Sequence, residues 1–322
     1  MFSPTAKRER DVSASKGEAD TVFPQAHSGA SLSGCGTALV TPFTTDGAVD
    51  ERALRAFVEW QVIEGVHFVV PCGSTGEAAT LSSSEHRRVI EITVEQVAGR
   101  IPVVAGAGSN DTQKAIALSR EAKAAGATHL LHVTPMYNKP PQRALIAHFR
   151  AIADACDLPI VLYNVPGRTA INLEVRTCLT LAADARFVGV KEASGNLAQI
   201  IEILRERPAS FRVFSGDDAF TLSVMAHGGD GVVSVVSNMV PRLVADLANA
   251  CARGDYAAAR VIDARLSPVV QAAFVESNPI PAKAMLHLMD KMEDVLRLPL
   301  VPLIDTHRAL MRTALIGAHA IL

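Results

Sequence analysis

The sequence predicts an α/β chain closed into a single (β/α)8, or TIM, barrel that carries a helical appendage at its C-terminal end. Three observations support that expectation. Short runs rich in Val and Ile recur eight times, longer stretches with helical spacing separate them, and 322 residues at 49% hydrophobic content give one barrel enough material for its core. Near-continuous apolar strands separated by helices imply a parallel sheet covered on both faces. An open doubly wound sheet would use the same units. No G-x-G-x-x-G or G-x-x-x-x-G-K-[ST] opens a helix after a strand, however, which weakens the nucleotide-binding form of that alternative.

Taken in order, residues 1–33 read as a disordered extension: "TAKRERDVSASKGEAD" is polar, charged and aperiodic. Its Glu9, Asp11, Glu18 and Asp20 fit poorly with an acid-poor organelle transit peptide. The barrel is expected over 34–253. Its strands are read in "CGTALVTPF", "VHFVVPCG", "IPVVAGAG", "HLLHVTPMY", "PIVLYNVP", "FVGVKEAS", "FRVFSGDD" and "GVVSVVSN". Between them, stretches such as "DERALRAFVEWQVIEG" and "DTQKAIALSREAKAAGA" space their apolar residues by three and four and end near a Gly, as amphipathic helices do. Over 254–322 only helical patterns remain: "DYAAARVIDARLSPVVQAAFV", "PAKAMLHLMDKM" and "THRALMRTALIGAHA".

Composition narrows the partners. Against 33 acidic residues stand 31 basic ones with no long block of one sign, which leaves little electrostatic footprint for nucleic acid or an anionic membrane. No apolar stretch reaches the length of a membrane span, and the N-terminus lacks the apolar centre of a secretory signal. A small-molecule partner is expected. Cys35, Cys72, Cys156, Cys178 and Cys251 are odd in number and show no C-x-x-C spacing, which argues against a disulfide framework or zinc knuckle and for a reducing cytoplasm.

In such a barrel the chemistry sits at the C-terminal ends of the strands. Those exits carry Ser74 and Thr75, Tyr137, Tyr163 and Arg168, and Lys191, which interrupts the apolar run of "FVGVKEASG". A solvated lysine has a pKa of about 10.4 and is neutral in about one molecule in 2,500 at pH 7, whereas burial favours the neutral amine that can attack a ketone and form a Schiff base. That chemistry needs neither metal nor cofactor, and no H-x-x-x-H or H-E-x-x-H is present; His129 and His132 read as a polar core pair. The glycine-rich "AGAGSND" reads as a strand-to-helix turn capped by Asn110 or Asp111. Asp217 and Asp218 in "SGDDA" suit a helix N-terminus.

Six motifs in one order, "GSTGEAATLS", "VTPMYNKP", "YNVPGRT", "GVKEASGN", "SGDD" and "NPIPAK", give the chain from about Gly34 to Leu322 a resemblance to the dihydrodipicolinate synthase and N-acetylneuraminate lyase family of Schiff-base-forming barrels. The resemblance implies Lys191 as the imine-forming lysine, Tyr163 as the phenol that shuttles protons, and Ser74 and Tyr137 as the rest of a hydroxyl relay, with Tyr137 reaching into a neighbouring subunit. Thr75 and the amides of its turn would hold a pyruvate carboxylate, Arg168 would grip the carboxylate of the second substrate bidentately, and Gly216 and Val233 join the substrate-binding set. The arginine of "YNVPGRT" favours the synthase branch, which condenses pyruvate with L-aspartate 4-semialdehyde to 4-hydroxy-tetrahydrodipicolinate. Ser74, where synthases usually carry threonine, is shared with lyases and sugar-acid aldolases. An aldolase or dehydratase of the 2-keto-3-deoxy sugar acid or N-acetylneuraminate type, using the same imine, and a non-catalytic keto-acid-binding paralogue therefore stay open. The resemblance also implies a homotetramer built as a dimer of dimers. It further implies a lost L-lysine regulatory site, since Ala78, Ser83, Lys114 and Met136 stand where sensitive bacterial enzymes tend to carry serine, histidine, glutamate and tyrosine, while His86 and Asn110 are kept.

Overall fold

A computed structural model of the chain describes Met1 and residues 32–321. Most of the expected extension therefore lies outside the described residues. Strands β1 (Gly34–Ala38), β2 (Phe68–Val70), β3 (Val104–Gly106), β4 (His129–Val133), β5 (Ile160–Asn164), β6 (Phe187–Glu192), β7 (Arg212–Ser215) and β8 (Gly231–Ser234) each fall inside one of the apolar runs, except that β1 starts one residue before its run. All pair in parallel, in the order β2-β1-β8-β7-β6-β5-β4-β3. The two edges meet at a Val69–Val103 bridge and through the Gly106 amide, which donates to the Pro71 carbonyl at 2.9 Å, so the sheet curls into a nearly closed barrel. Gly106 is required there, because a Cβ would stand 2.1 Å from the Cys72 carbonyl oxygen.

The helices of the barrel are α1 (Glu51–Ile63), α2 (Ser83–Val97), α3 (Thr112–Ala124), α4 (Gln142–Ala155), the short α5 (Pro166–Thr169), α6 (Val175–Ala182), α7 (Leu197–Glu206), α8 (Thr221–Ala226) and α9 (Pro241–Ala252). Their starts follow local chemistry. Asp50 accepts from the Ala53 amide at 2.9 Å, Ser82 and Glu85 form a reciprocal capping box, and Asp111 caps α3 by accepting from the Gln113 amide at 2.8 Å. Of the two caps proposed for "AGAGSND", Asp111 is the one used. The C-terminal region forms α10 (Tyr256–Ala273), α11 (Ile280–Leu288) and α12 (Asp305–Gly317). All five cysteines are free and buried.

Two cores result. The outer one lies between strands and helices, and the inner one fills the barrel with Ala38, Phe68, Val70, Val104, Leu131, Val161, Tyr163, Phe214 and Val233. Leu32 also belongs to the inner core at 5% exposure. The first strand starts at the expected Gly34, and the apolar side chain of Leu32, two residues before it, is buried against the barrel.

Candidate active site

The question raised by Lys191 is which face of β6 it occupies. Simple alternation would put it on the side of Phe187, two pairs of residues earlier, and Phe187 is in the outer core. The ladder between β5 and β6 is irregular, however: Ile160 pairs with Phe187 while Val161 already pairs with Gly189, so Val188 is an extra residue. This bulge resets the parity. Phe187 and Val190 face the outer core, Val188 packs against the inner one, and Lys191 comes to lie between Tyr163 on β5 and Phe214 on β7, both inner-core residues. Lys191 is 5% exposed, and its Nζ stands 4.2 Å from the centre of the Tyr163 ring. No carboxylate pairs with it among the described residues.

Two glycines make room. At Gly189 a Cβ would lie 2.6 Å from the Arg212 carbonyl oxygen, and at Gly216 it would lie 3.0 Å from Lys191 Cγ and 2.7 Å from Ala193 Cβ. Gly216, expected at the site from sequence, is therefore directly against the lysine stem. Val233 lies in the inner core at 2% exposure, on β8.

The loop after β2 carries Thr75. Thr75 is buried, and its Oγ1 accepts from Asn278 Nδ2 at 2.9 Å, which leaves the hydroxyl proton free to donate. The Ser74 and Thr75 amides find no acceptor among the described residues, so the turn presents two N–H donors and a hydroxyl. The Asn278 carbonyl accepts from Arg168 Nη2 at 3.2 Å, which links the exits of β2 and β5 through one residue. Arg168 is otherwise exposed.

Two expected relay members stand apart. The Ser74 side chain is exposed, and Tyr137 is 87% exposed with a left-handed φ of 74°. No hydrogen bond among the described residues joins either to Tyr163. A non-glycine residue held in that backbone region is strained and persists only where its surroundings enforce it. Asn138, which follows Tyr137, donates through Nδ2 to the Asn110 carbonyl at 2.9 Å and fixes the segment.

The remaining polar residues have structural partners. Asp217 caps its turn by accepting from the Ala219 amide at 3.0 Å, as a helix-start acid should. Asp218 does more: it is buried, burial raises its carboxyl pKa, and it accepts from Ser234 Oγ and from the Val235 amide at 2.9 Å, tying β7 to β8. Glu192, next to the lysine but on the outer face, is likewise pushed up by burial and accepts from Asn164, Ser194 and Gln199. His132 is buried against Ser119, and burial depresses both His132, to about 3, and His129, to about 4; no metal-ligand cluster forms among the described residues.

Sequence reading missed Asn278 as a contact of Thr75, and it missed the fully buried ion pair of Glu77 with Lys283, 2.5 Å apart. A signal for the pair existed. Lys283 is a lone charge in "IPAKAMLHL", whose first seven residues are all buried, and such a charge needs a partner.

The model of the Dihydrodipicolinate synthetase family matches residues 31–317. The chain is 50% identical over 279 residues to the 4-hydroxy-tetrahydrodipicolinate synthase of Koribacter versatilis, covering 86% of this chain and 93% of that one. It is 50% identical over 288 residues to the synthase of Nitratidesulfovibrio vulgaris, covering 89% and 98%. Among solved structures, the chloride-inhibited dihydrodipicolinate synthase of Acinetobacter baumannii complexed with pyruvate superposes with a TM-score of 0.88 at 39% identity, covering 90% of this chain and 99% of that one. The chain belongs to the dihydrodipicolinate synthetase family.

Proposed function

We propose that this chain is a Schiff-base-forming lyase that condenses pyruvate with L-aspartate 4-semialdehyde to give 4-hydroxy-tetrahydrodipicolinate, in lysine and diaminopimelate biosynthesis. The observation that carries the reading is Lys191: a buried amine without a counter-charge, set against the Tyr163 ring at the exit of β6. In its neutral form the amine adds to the C2 ketone of pyruvate, and loss of water gives the imine. The imine withdraws electrons from C3, a proton leaves C3, and the resulting enamine attacks the aldehyde carbon of the second substrate. That substrate's amino group then displaces Lys191 by transimination and closes the ring.

The other roles follow from chemistry at each position. The Thr75 hydroxyl and the Ser74 and Thr75 amides suit the pyruvate carboxylate, and a structure of a relative at 39% identity is described as complexed with pyruvate. Arg168 suits the carboxylate of the second substrate. Tyr163, whose ring faces the Lys191 amine, would donate and accept protons during imine formation, with Ser74 and Tyr137 completing the relay. Gly216 leaves space beside the lysine stem, and Val233 contributes an apolar wall. The 87% exposure of Tyr137 supports a subunit arrangement in which it enters a neighbour's site, within a homotetramer made as a dimer of dimers. No helix among the described residues is long and apolar enough to cross a membrane, and we place the enzyme in the cytoplasm, acting on small molecules without nucleic acid.

Borohydride reduction in the presence of pyruvate should add one three-carbon unit to Lys191, and Lys191→Ala should abolish the adduct. Absence of the adduct, or its appearance on another lysine, refutes the mechanism. An acceptor screen that gave turnover with sugar-derived aldehydes and none with L-aspartate 4-semialdehyde would refute the substrate assignment.

A further inference from the structure

We infer that Lys283 is a positioning residue for the loop that carries Ser74 and Thr75, acting through its ion pair with Glu77. The inference rests on the pyruvate reading above, in which this loop receives the substrate carboxylate. Glu77 and Lys283 have no side-chain exposure and lie 2.5 Å apart. The second carboxylate oxygen of Glu77 accepts from the Arg297 amide at 3.1 Å, and Lys283 Nζ also donates to the Val295 carbonyl at 2.8 Å while standing 4.0 Å over the Phe43 ring. The carboxylate is thus held from two directions by the C-terminal region.

The loop needs holding. Cys72 and Glu77, at its two ends, have φ values of 57° and 53°, a left-handed conformation that non-glycine residues keep only under external constraint. Constraint comes from three sides. Thr41 Oγ1 donates to the Gly76 carbonyl at 2.7 Å, Asn278 Nδ2 donates to Thr75 Oγ1 at 2.9 Å, and Lys283 grips Glu77. Asn278 and Lys283 both belong to the "NPIPAK" stretch that opens α11, so one element holds the loop at Thr75 and again two residues later. A well-packed apolar pair would serve stability as well as a buried ion pair does. What the charges add is direction: they fix where the Glu77 carboxylate, and the backbone attached to it, must stand.

The test uses the full chain and measures the pyruvate concentration that gives half-maximal borohydride trapping, together with the limiting trapping rate and the thermal midpoint. The double variant E77Q/K283M removes both charges at similar volume and leaves no buried charge unpaired. Asn278→Ala releases Thr75 while sparing the ion pair. Each folded variant should need about tenfold or more pyruvate for half-saturation, the scale of a misaligned hydrogen bond to a charged group, with a limiting rate close to the parent's. A folded variant of either kind that traps at the parent's half-saturation, whatever its thermal midpoint, overturns the positioning role. A parent protein that gives no pyruvate adduct at all overturns the functional reading instead.

Discussion

Gly189→Ala is the substitution that probes how the fold delivers Lys191. The added Cβ would stand 2.6 Å from the Arg212 carbonyl oxygen and 3.1 Å from Arg212 Cβ, on the neighbouring strand β7. Ordinary van der Waals contact begins near 3.4 Å, so β6 and β7 must part locally by about 0.8 Å. Overpacking of this kind costs about 1–3 kcal/mol. For a chain of this size that lowers the thermal midpoint by several degrees, at about 2–4 °C per kcal/mol. The functional loss should be disproportionate. Gly189 sits in the bulge that turns Lys191 inward, two residues before it, and a misplacement of about 1 Å in a reacting group costs on the order of 10²-fold in rate. Single-turnover formation of the pyruvate imine, followed by borohydride quench well below the midpoint, should slow by about 10- to 100-fold. Leu266→Ala in α10, a buried site remote from β6, serves as the control: it should cost about 2–5 kcal/mol of stability and leave imine formation unchanged at the same temperature. If Gly189→Ala forms the imine within twofold of the parent, the bulge does not set the position of Lys191.

Four further outcomes are expected. Tyr137→Phe should lower steady-state turnover by ~10² to 10⁴ while leaving pyruvate trapping largely intact, and turnover within twofold of the parent would remove it from the relay. Deleting residues 1–30 should leave the thermal midpoint unchanged, whereas deleting 1–33 removes the buried Leu32 at a cost of about 1.5–3 kcal/mol; equal midpoints for the two truncations would contradict its place in the inner core. Arg297 holds the Glu85 carboxyl at about 2, below its ordinary 4.5, so this pair stabilises the fold above pH 4.5 and loses its effect as pH falls towards 2; a Glu85→Gln variant should melt earlier than the parent at pH 7, with a deficit that closes over that window and not above it. Millimolar L-lysine should not inhibit: at the site the resemblance implies, Lys114 would repel the ligand's amino group, and the His86 imidazole is pushed down by burial and further by that same charge; inhibition in the micromolar range would require a differently built site.

The layout of the barrel was legible because each strand is a short apolar run and α1, α2, α3, α7 and α10 announce their starts with side-chain caps, features that depend only on neighbours in sequence. What escaped depends on partners elsewhere in the chain. The extra residue at Val188 cannot be seen in "FVGVKEAS", since a bulge is defined by the pairing of two strands, and with strict alternation Lys191 would have faced the helices. Asp218 looked like a helix-start acid because its acceptor role is directed at residues after β8. The instructive contrast is between two lysines that both interrupt apolar stretches and are both almost completely buried. Lys283 is matched by Glu77, and burial still pulls its pKa down to about 8. Lys191 has an aromatic ring and no carboxylate beside it. A paired lysine is held by its partner and has no amine to offer a substrate, so its contribution is geometric. An unpaired one can offer its nitrogen to a substrate, the role proposed for Lys191, and the surrounding structure has to aim it: the Val188 bulge turns Lys191 inward and Gly216 leaves space beside its stem.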